Sequence, residues 1–158
     1  MRPAFSTVHV PPREAVDYWQ DVACATITTH SPKFSDPEHF YGSMEADALS
    51  DLSLIRYRCS PGVSEAPADD HLLLIPPATG VRVHQFAGGG GLEHNRSRLT
   101  LIDAHVPLVA RSLEPIERTY LRLPPEALAE RPDIARVANR QVPAAGFSVA
   151  MLPATSRS

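Results

Sequence analysis

Residues 99–126, LTLIDAHVPLVARSLEPIERTYLRLPPE, are the stretch that decides the fold class. Leu99, Leu101 and Asp103 share one face of an extended segment, and the same alternation returns further along the stretch. A period of two residues is typical of a half-buried antiparallel strand. Pro124-Pro125 then predicts the end of the last strand and the start of a helix, because proline donates nothing to a ladder but fits a first helical turn.

The rest of the chain repeats this pattern in short segments. Residues 13–25 predict a helix whose apolar stripe includes Trp19, interpreted as an anchor that docks the helix on a sheet. The polar segments 30–38 and 63–70 predict loops. Further strands are predicted between prolines, glycines and turn residues, at 40–48, 52–59, 71–75 and 81–86.

The run Gly88–Gly91 has two possible interpretations. A phosphate-binding loop would need a preceding strand, a following helix and a lysine after the glycines. Here the flanks are strand-like and residues 92–95 contain no lysine, so the run predicts a hairpin tip. Residues 127–139 predict a helix or helix pair interrupted by Pro132. The order of elements predicts one mainly-β antiparallel sandwich or barrel with an N-terminal helix and C-terminal helices.

The composition of the chain argues against two classes of function, nucleic-acid binding and a membrane-spanning role. The 158 residues fit one domain, and the formal charge of -3 gives no electrostatic footprint for nucleic acid. No apolar run reaches the roughly 20 residues that a membrane helix needs. Cys24 and Cys59 lack metal-like spacing and are interpreted as small buried side chains in a reducing cytoplasm.

Five segments of the chain carry a resemblance to a known family: REAVDYWQDV (13–22), FYGSMEADALSDLSLIRYRCSP (40–61), LLLIPPATGVRVHQ (72–85), LTLIDAHVPLVA (99–110) and TYLRLPPEAL (119–128). In order and spacing they resemble the N-terminal cupin-like sensor domain of AraC-type transcription regulators, in the subgroup whose domain opens with a tryptophan-bearing helix. The resemblance covers about residues 5–137. The chain departs from the family at two turns, Arg96-Ser97-Arg98 and the glycine run.

The resemblance implies a cupin-like antiparallel jelly-roll barrel with a regulatory role. Such domains bind a small-molecule effector or make homodimer contacts, while helix-turn-helix units elsewhere in the regulator bind DNA. We expect residues 1–158 to be a single domain of this kind, with 138–158 as a tail leading toward a linker helix and a DNA-binding domain that this sequence does not contain. We expect no membrane association, no cofactor and no catalysis.

Some proteins with a cupin fold are metal enzymes, so the spacing of the histidines decides whether a metal site is predicted. Two ligands at positions i and i+2 of a strand would face one ion together. His84 has Arg82 and Phe86 at those positions, and His94 and His105 stand singly. No nucleophile motif is present either. The sequence therefore predicts no metal ligands and no catalytic residues.

An effector would bind inside the barrel, in an apolar pocket with a few convergent polar groups. Tyr57, Arg82 and His84 are the candidate ligand-binding residues, because they lie on strand faces that carry polar and aromatic groups. The alternative that these side chains only line a solvent face stays open, since periodicity does not tell which face is interior. Two other functions also stay open: a stand-alone cupin enzyme or metal-binding protein, and a free-standing module that modulates a full-length regulator.

Overall fold

A computed structural model describes residues 3–50, 52–128 and 142–143. This part of the chain is mainly β, and every strand pairing in it is antiparallel. One α-helix, α1, spans Ala15–Thr26. The strands are β1 (Ala4–Ser6), β2 (Ser31–Phe34), β3 (Gly42–Leu49), β4 (Leu52–Cys59), β5 (Gly62–Ala66), β6 (Leu72–Ile75), β7 (Arg82–Phe86), β8 (Gly91–His94), β9 (Arg98–Asp103), β10 (Leu108–Ser112), β11 (Ile116–Leu123) and β12 (Val142–Pro143).

The strands form two sheets. The larger sheet has the order β1-β3-β4-β11-β6-β9-β12, and the smaller has the order β2-β5-β10-β7-β8. The chain passes repeatedly from one sheet to the other, as in a jelly roll. The predicted architecture, a mainly-β antiparallel jelly roll with an N-terminal helix, is confirmed.

The inner face of the larger sheet is set by the register of β4 with β11. Ile55 pairs with Tyr120 and Tyr57 pairs with Arg118. Ile55, Tyr57 and Tyr120 are buried, whereas Arg56 and Glu117, on the opposite faces of the same strands, are exposed. Alternate residues on paired antiparallel strands face the same side, so these buried side chains form one continuous interior face.

Helix α1 covers one side of the barrel through Trp19, as predicted. The indole is only 3% exposed, and its ring centroid lies 5.9 Å from that of Phe40 and 6.3 Å from that of Tyr57. Gly42 makes this docking possible, because a Cβ atom there would lie 2.5 Å from Trp19 Cε3. The helix begins at Ala15, after a 3₁₀ turn at Pro12–Glu14.

Two loop predictions are wrong. Residues 30–38 contain β2, and residues 63–70 contain all of β5 except its first residue, Gly62. β5 is an inner strand that pairs with β10 on one side and β2 on the other. Both segments are polar and short, so their composition is untypical of strands. Their backbones nevertheless complete ladders with neighbouring strands, and this tertiary pairing outweighs the weak local preference.

Other local predictions agree with the structure. The strand at 52–59 has the bounds of β4, and the glycine run forms the tip between β7 and β8, with positive φ angles at Gly88, Gly89 and Gly90. Pro125–Leu128 forms a 3₁₀ turn. The rest of the C-terminal helix predicted at 127–139 lies outside the described residues. None of the described helices is long and apolar enough to cross a bilayer.

Candidate functional site: a cavity between the sheets

A cavity lies between the two sheets and beneath α1. Its volume is about 70 Å³. A cavity needs roughly 10–15 Å³ to hold one water, so this cavity has room for a small molecule. The lining is mostly apolar and comprises Trp19, Ala23, Ile27, Thr28, His30, Phe34, Tyr57, Cys59, Ser64, Ala66, Pro67, Leu73, Arg82, His84, Ile102, Ala104, Val106, Leu108, Ala110 and Tyr120.

A hydrogen-bonded chain of polar side chains crosses this cavity. Arg82 Nη1 of β7 donates to the Tyr57 hydroxyl of β4 at 2.7 Å. The Tyr57 and Tyr120 hydroxyls are hydrogen-bonded at 2.7 Å, and their ring centroids lie 5.0 Å apart. The chain therefore connects the smaller sheet to the larger one. Arg82 Nε is buried and has no hydrogen-bond partner among the described residues.

The acidic groups nearest to Arg82 are neutral. Burial raises the pKa of the Tyr57 phenol well above its usual value and raises the pKa of the Cys59 thiol to about 11, although the Arg82 charge opposes both shifts. Burial also disfavours the Arg82 cation, but the pKa of the guanidinium lies above its usual value because Tyr57, Tyr120 and Cys59 stabilise the cation once they ionise at high pH. Arg82 is therefore a cation that faces neutral groups.

His84 is the second polar group of the smaller sheet in the cavity. It is 3% exposed, and its Nδ1 has no hydrogen-bond partner in the described part of the chain. Burial lowers the pKa of His84 well below its usual value, and the charges of Arg82, His94 and Arg118 lower it further. Its imidazole is therefore neutral at pH 7.

His30 lies where the loop after α1 meets the cavity. Its Nδ1 is 2.8 Å from the Thr28 carbonyl oxygen, and burial lowers its pKa despite that contact. The Cys24 thiol donates to the His30 carbonyl at 3.3 Å. Asp69 ties this loop to the segment between β5 and β6, since its carboxylate accepts from the Thr28 hydroxyl at 3.0 Å. The described cysteines, Cys24 and Cys59, are free thiols.

Arg118 is an interior residue that the sequence analysis did not select. It is 1% exposed, and its guanidinium donates to the carbonyl oxygens of Thr79 and Gly80, the latter at 2.8 Å. It therefore holds the loop between β6 and β7. Arg118 lies two residues before Tyr120, and this spacing places both side chains on one face of the strand. The same face also carries Arg122, and two arginines on one strand face are typical of a face in solvent.

The histidines considered as metal ligands do not converge. His84 and His94 are buried, but His94 Nδ1 is engaged with the Thr100 hydroxyl at 2.8 Å. His105 is exposed in the turn after β9, with its Nδ1 2.8 Å from an Asp103 carboxylate oxygen. Within the described residues, no group of three or more histidine, cysteine or acidic side chains could hold a metal ion.

The structure brings Tyr57, Arg82 and His84 together in the cavity lining. Arg82 and His84 are on the inner face of β7, whereas Val83 and Gln85 are exposed. The solvent-face alternative is therefore wrong for these residues, and their role in ligand binding stays a prediction. Tyr120 and His30 are further polar residues of the lining that the sequence did not predict, because strand periodicity alone does not show which elements meet at the cavity.

Comparison with known proteins gives a structural match. No protein-family model and no curated protein sequence matches the chain. The AraC-like transcriptional activator CuxR superposes with a TM-score of 0.68 at 17% sequence identity, over 87% of this chain and 51% of the activator's chain. At this identity the likeness shows a shared fold, and the present chain spans about half the length of the activator.

Two further solved structures superpose more loosely. Ectoine synthase from P. lautus gives a TM-score of 0.47 at 15% identity, over 57% of this chain and 72% of the synthase. Oxalate decarboxylase from Lactobacillus farciminis, solved with formate, gives 0.40 at 18% identity, over 71% of this chain and 39% of the decarboxylase. The match to the AraC-like activator, at a TM-score of 0.68, agrees with the fold expected from the resemblance to AraC-type sensor domains.

Proposed function

We propose that this chain is the effector-sensing domain of an AraC-type transcriptional regulator, that it acts in the cytoplasm, and that it catalyses no reaction. The observation that supports this most directly is the cavity, where a few polar groups converge in a mostly apolar lining between two sheets. Such a composition is typical of small-molecule sites. The fold shared with an AraC-like activator is consistent with the same role.

The cavity is placed so that a ligand would affect α1. Trp19, Ala23 and Ile27 of this region contribute to both the lining and the core. A ligand that binds one arrangement of the helix better than another shifts the population toward that arrangement. We propose that this shift is passed to a partner protomer in a homodimer and to helix-turn-helix units outside this sequence, which bind the DNA.

Binding is tested with the full chain and a panel of small metabolites. Trp19 is the single tryptophan of the chain and lines the cavity, so its fluorescence reports binding there. A true ligand also raises the unfolding temperature, because it binds the native state only. Analytical ultracentrifugation with and without a hit tests the homodimer.

A variant pair decides whether a hit occupies the cavity. Ala110 lies on the inner face of β10 and is 3% exposed, so Ala110→Leu fills part of the space. Val109→Leu adds volume at the neighbouring residue, which faces the other way. We expect Ala110→Leu to weaken the binding of every metabolite that binds the wild type, and Val109→Leu to leave that binding unchanged. Equal binding by both variants would contradict a ligand site in the cavity.

A further inference from the structure

The charge balance of the cavity limits which ligands fit it. No aspartate or glutamate is among the described residues that line the cavity, whereas Arg82 places a guanidinium there. An arginine side chain stays charged in proteins. The interior of the described barrel therefore contains a cation whose neighbouring acids, Tyr57 and Cys59, are held in their neutral forms by burial.

The hydrogen bonds of Arg82 are also incomplete. Its Nη1 donates to Tyr57 at 2.7 Å, but Nε is buried without a partner in the described part of the chain. His84, two residues along the same strand face, has an unpartnered buried Nδ1. Buried polar groups are normally satisfied, and a buried charge is normally paired. Arg82 Nε and His84 Nδ1 are therefore the atoms to which a polar group of a bound ligand would form hydrogen bonds.

Arg118, a second arginine inside the same barrel, uses its terminal nitrogens differently. Its Nη1 and Nη2 donate to main-chain carbonyl oxygens, including that of Gly80 at 2.8 Å. Its Nε is buried without a described partner, as Arg82 Nε is, so the two residues differ in their terminal nitrogens only. Those of Arg118 hold the loop between β6 and β7, whereas Arg82 Nη1 contacts a phenol oxygen at the cavity.

We infer that the cavity binds a small organic acid, with its carboxylate against Arg82 and its apolar body among the side chains below α1. A carboxylate matches a guanidinium in charge and in hydrogen-bond geometry. Trp19, Phe34 and Leu108 supply apolar surface in the lining. The inference deepens the proposed function and rests on it, because it names the chemical class of the effector.

The size of the cavity favours a short acid with one carboxylate. The cavity volume of about 70 Å³ is several times the roughly 10–15 Å³ that a single water needs, so it has space for a compact ligand. A second carboxylate would have to lie among apolar side chains, where an unpaired charge is strongly disfavoured. The ligand class is therefore a compact monocarboxylate with an aliphatic or aromatic body.

The test compares acids with their neutral amides at constant ionic strength. The probes are butanoate, isovalerate and benzoate, each beside its primary amide, with Trp19 fluorescence and thermal unfolding of the full chain as readouts. We expect at least one acid to bind saturably and about tenfold or more tighter than its amide, because only the acid makes a charge-assisted pair. Amides that bind as well as the acids would overturn the inference while leaving a ligand cavity.

Arg82→Met removes the charge and keeps much of the volume. We expect this variant to fold at least as stably as the wild type without ligand, since replacing a partly buried charge that has no acidic partner in the lining by an apolar side chain removes a desolvation penalty. It should lose the acid response and keep any amide response. Arg111→Met, on the exposed side of the neighbouring β10, is the matched control and should keep both.

The outcomes separate the two proposals. If Arg82→Met retains acid binding, the inference is wrong and the effector site stands. If no probe of either kind binds, the inference is overturned, and the metabolite screen with Ala110→Leu and Val109→Leu decides the proposed function by itself. If Arg82→Met does not fold, the comparison of acids with amides on the wild type still decides.

Discussion

His94 provides a prediction about stability that follows from the electrostatics of the barrel. The residue is fully buried, and burial is the main cause that lowers its pKa to about 4. The charges of Arg118 and Arg82 lower it further, while the backbone of Pro76 opposes the shift. The Thr100 hydroxyl lies 2.8 Å from Nδ1, and neighbouring His84 is neutral as well.

The sign of the pH effect follows from proton binding. The unfolded chain protonates His94 near the usual histidine pKa of about 6.5, whereas the folded chain resists protonation down to a pKa of about 4. Between these values the unfolded state binds more protons, so the free energy of unfolding falls as pH falls. Integrated from pH 7 to pH 5, the loss is about 2 kcal/mol.

The variant His94→Gln isolates this contribution. Glutamine can still hydrogen-bond Thr100 but does not titrate, so the variant should lose about 1–2 kcal/mol less than the wild type between pH 7 and pH 5. Urea unfolding at several pH values measures this, and exposed His9→Gln serves as control, with a wild-type pH profile. The comparison uses slopes, so a general loss of stability does not affect it. Parallel profiles for His94→Gln and the wild type would refute the reasoning.

Two further predictions concern the supports of the cavity. Gly42→Ala should lower the free energy of unfolding by roughly 1–3 kcal/mol and shift the fluorescence emission of Trp19, because the added Cβ would lie 2.5 Å from Trp19 Cε3. An unchanged emission spectrum and an unchanged stability would contradict the docking described for α1. Arg118→Met should lower it by roughly 2 kcal/mol and speed amide hydrogen exchange in residues 79–82, because the carbonyls of Thr79 and Gly80 lose their donor. Protection at these amides equal to the wild type would argue against that role.

Much of the candidate site could be predicted from strand faces. Arg82 and His84 share one face of β7 because they are two residues apart, and Tyr57 shares a face of β4 with Ile55. The pairing of Tyr57 with Tyr120 was not predictable, since it depends on β4 and β11 being neighbours although they are far apart in the chain. The strands β2 and β5 were missed for a similar reason, because their partners rather than their composition make them strands.

The sequence by itself determined the fold class and the local conformation of most segments, β2 and β5 excepted. Alternation with a period of two, turns at prolines and glycines, and an apolar stripe around Trp19 follow from short-range sterics and hydrogen bonding. Only the tertiary structure decided which face of each strand is inside. On β11 the buried face carries Arg118 and Tyr120, while Leu121 is on the partly buried outer face. Periodicity defines two faces, but which one is covered depends on how the two sheets stack.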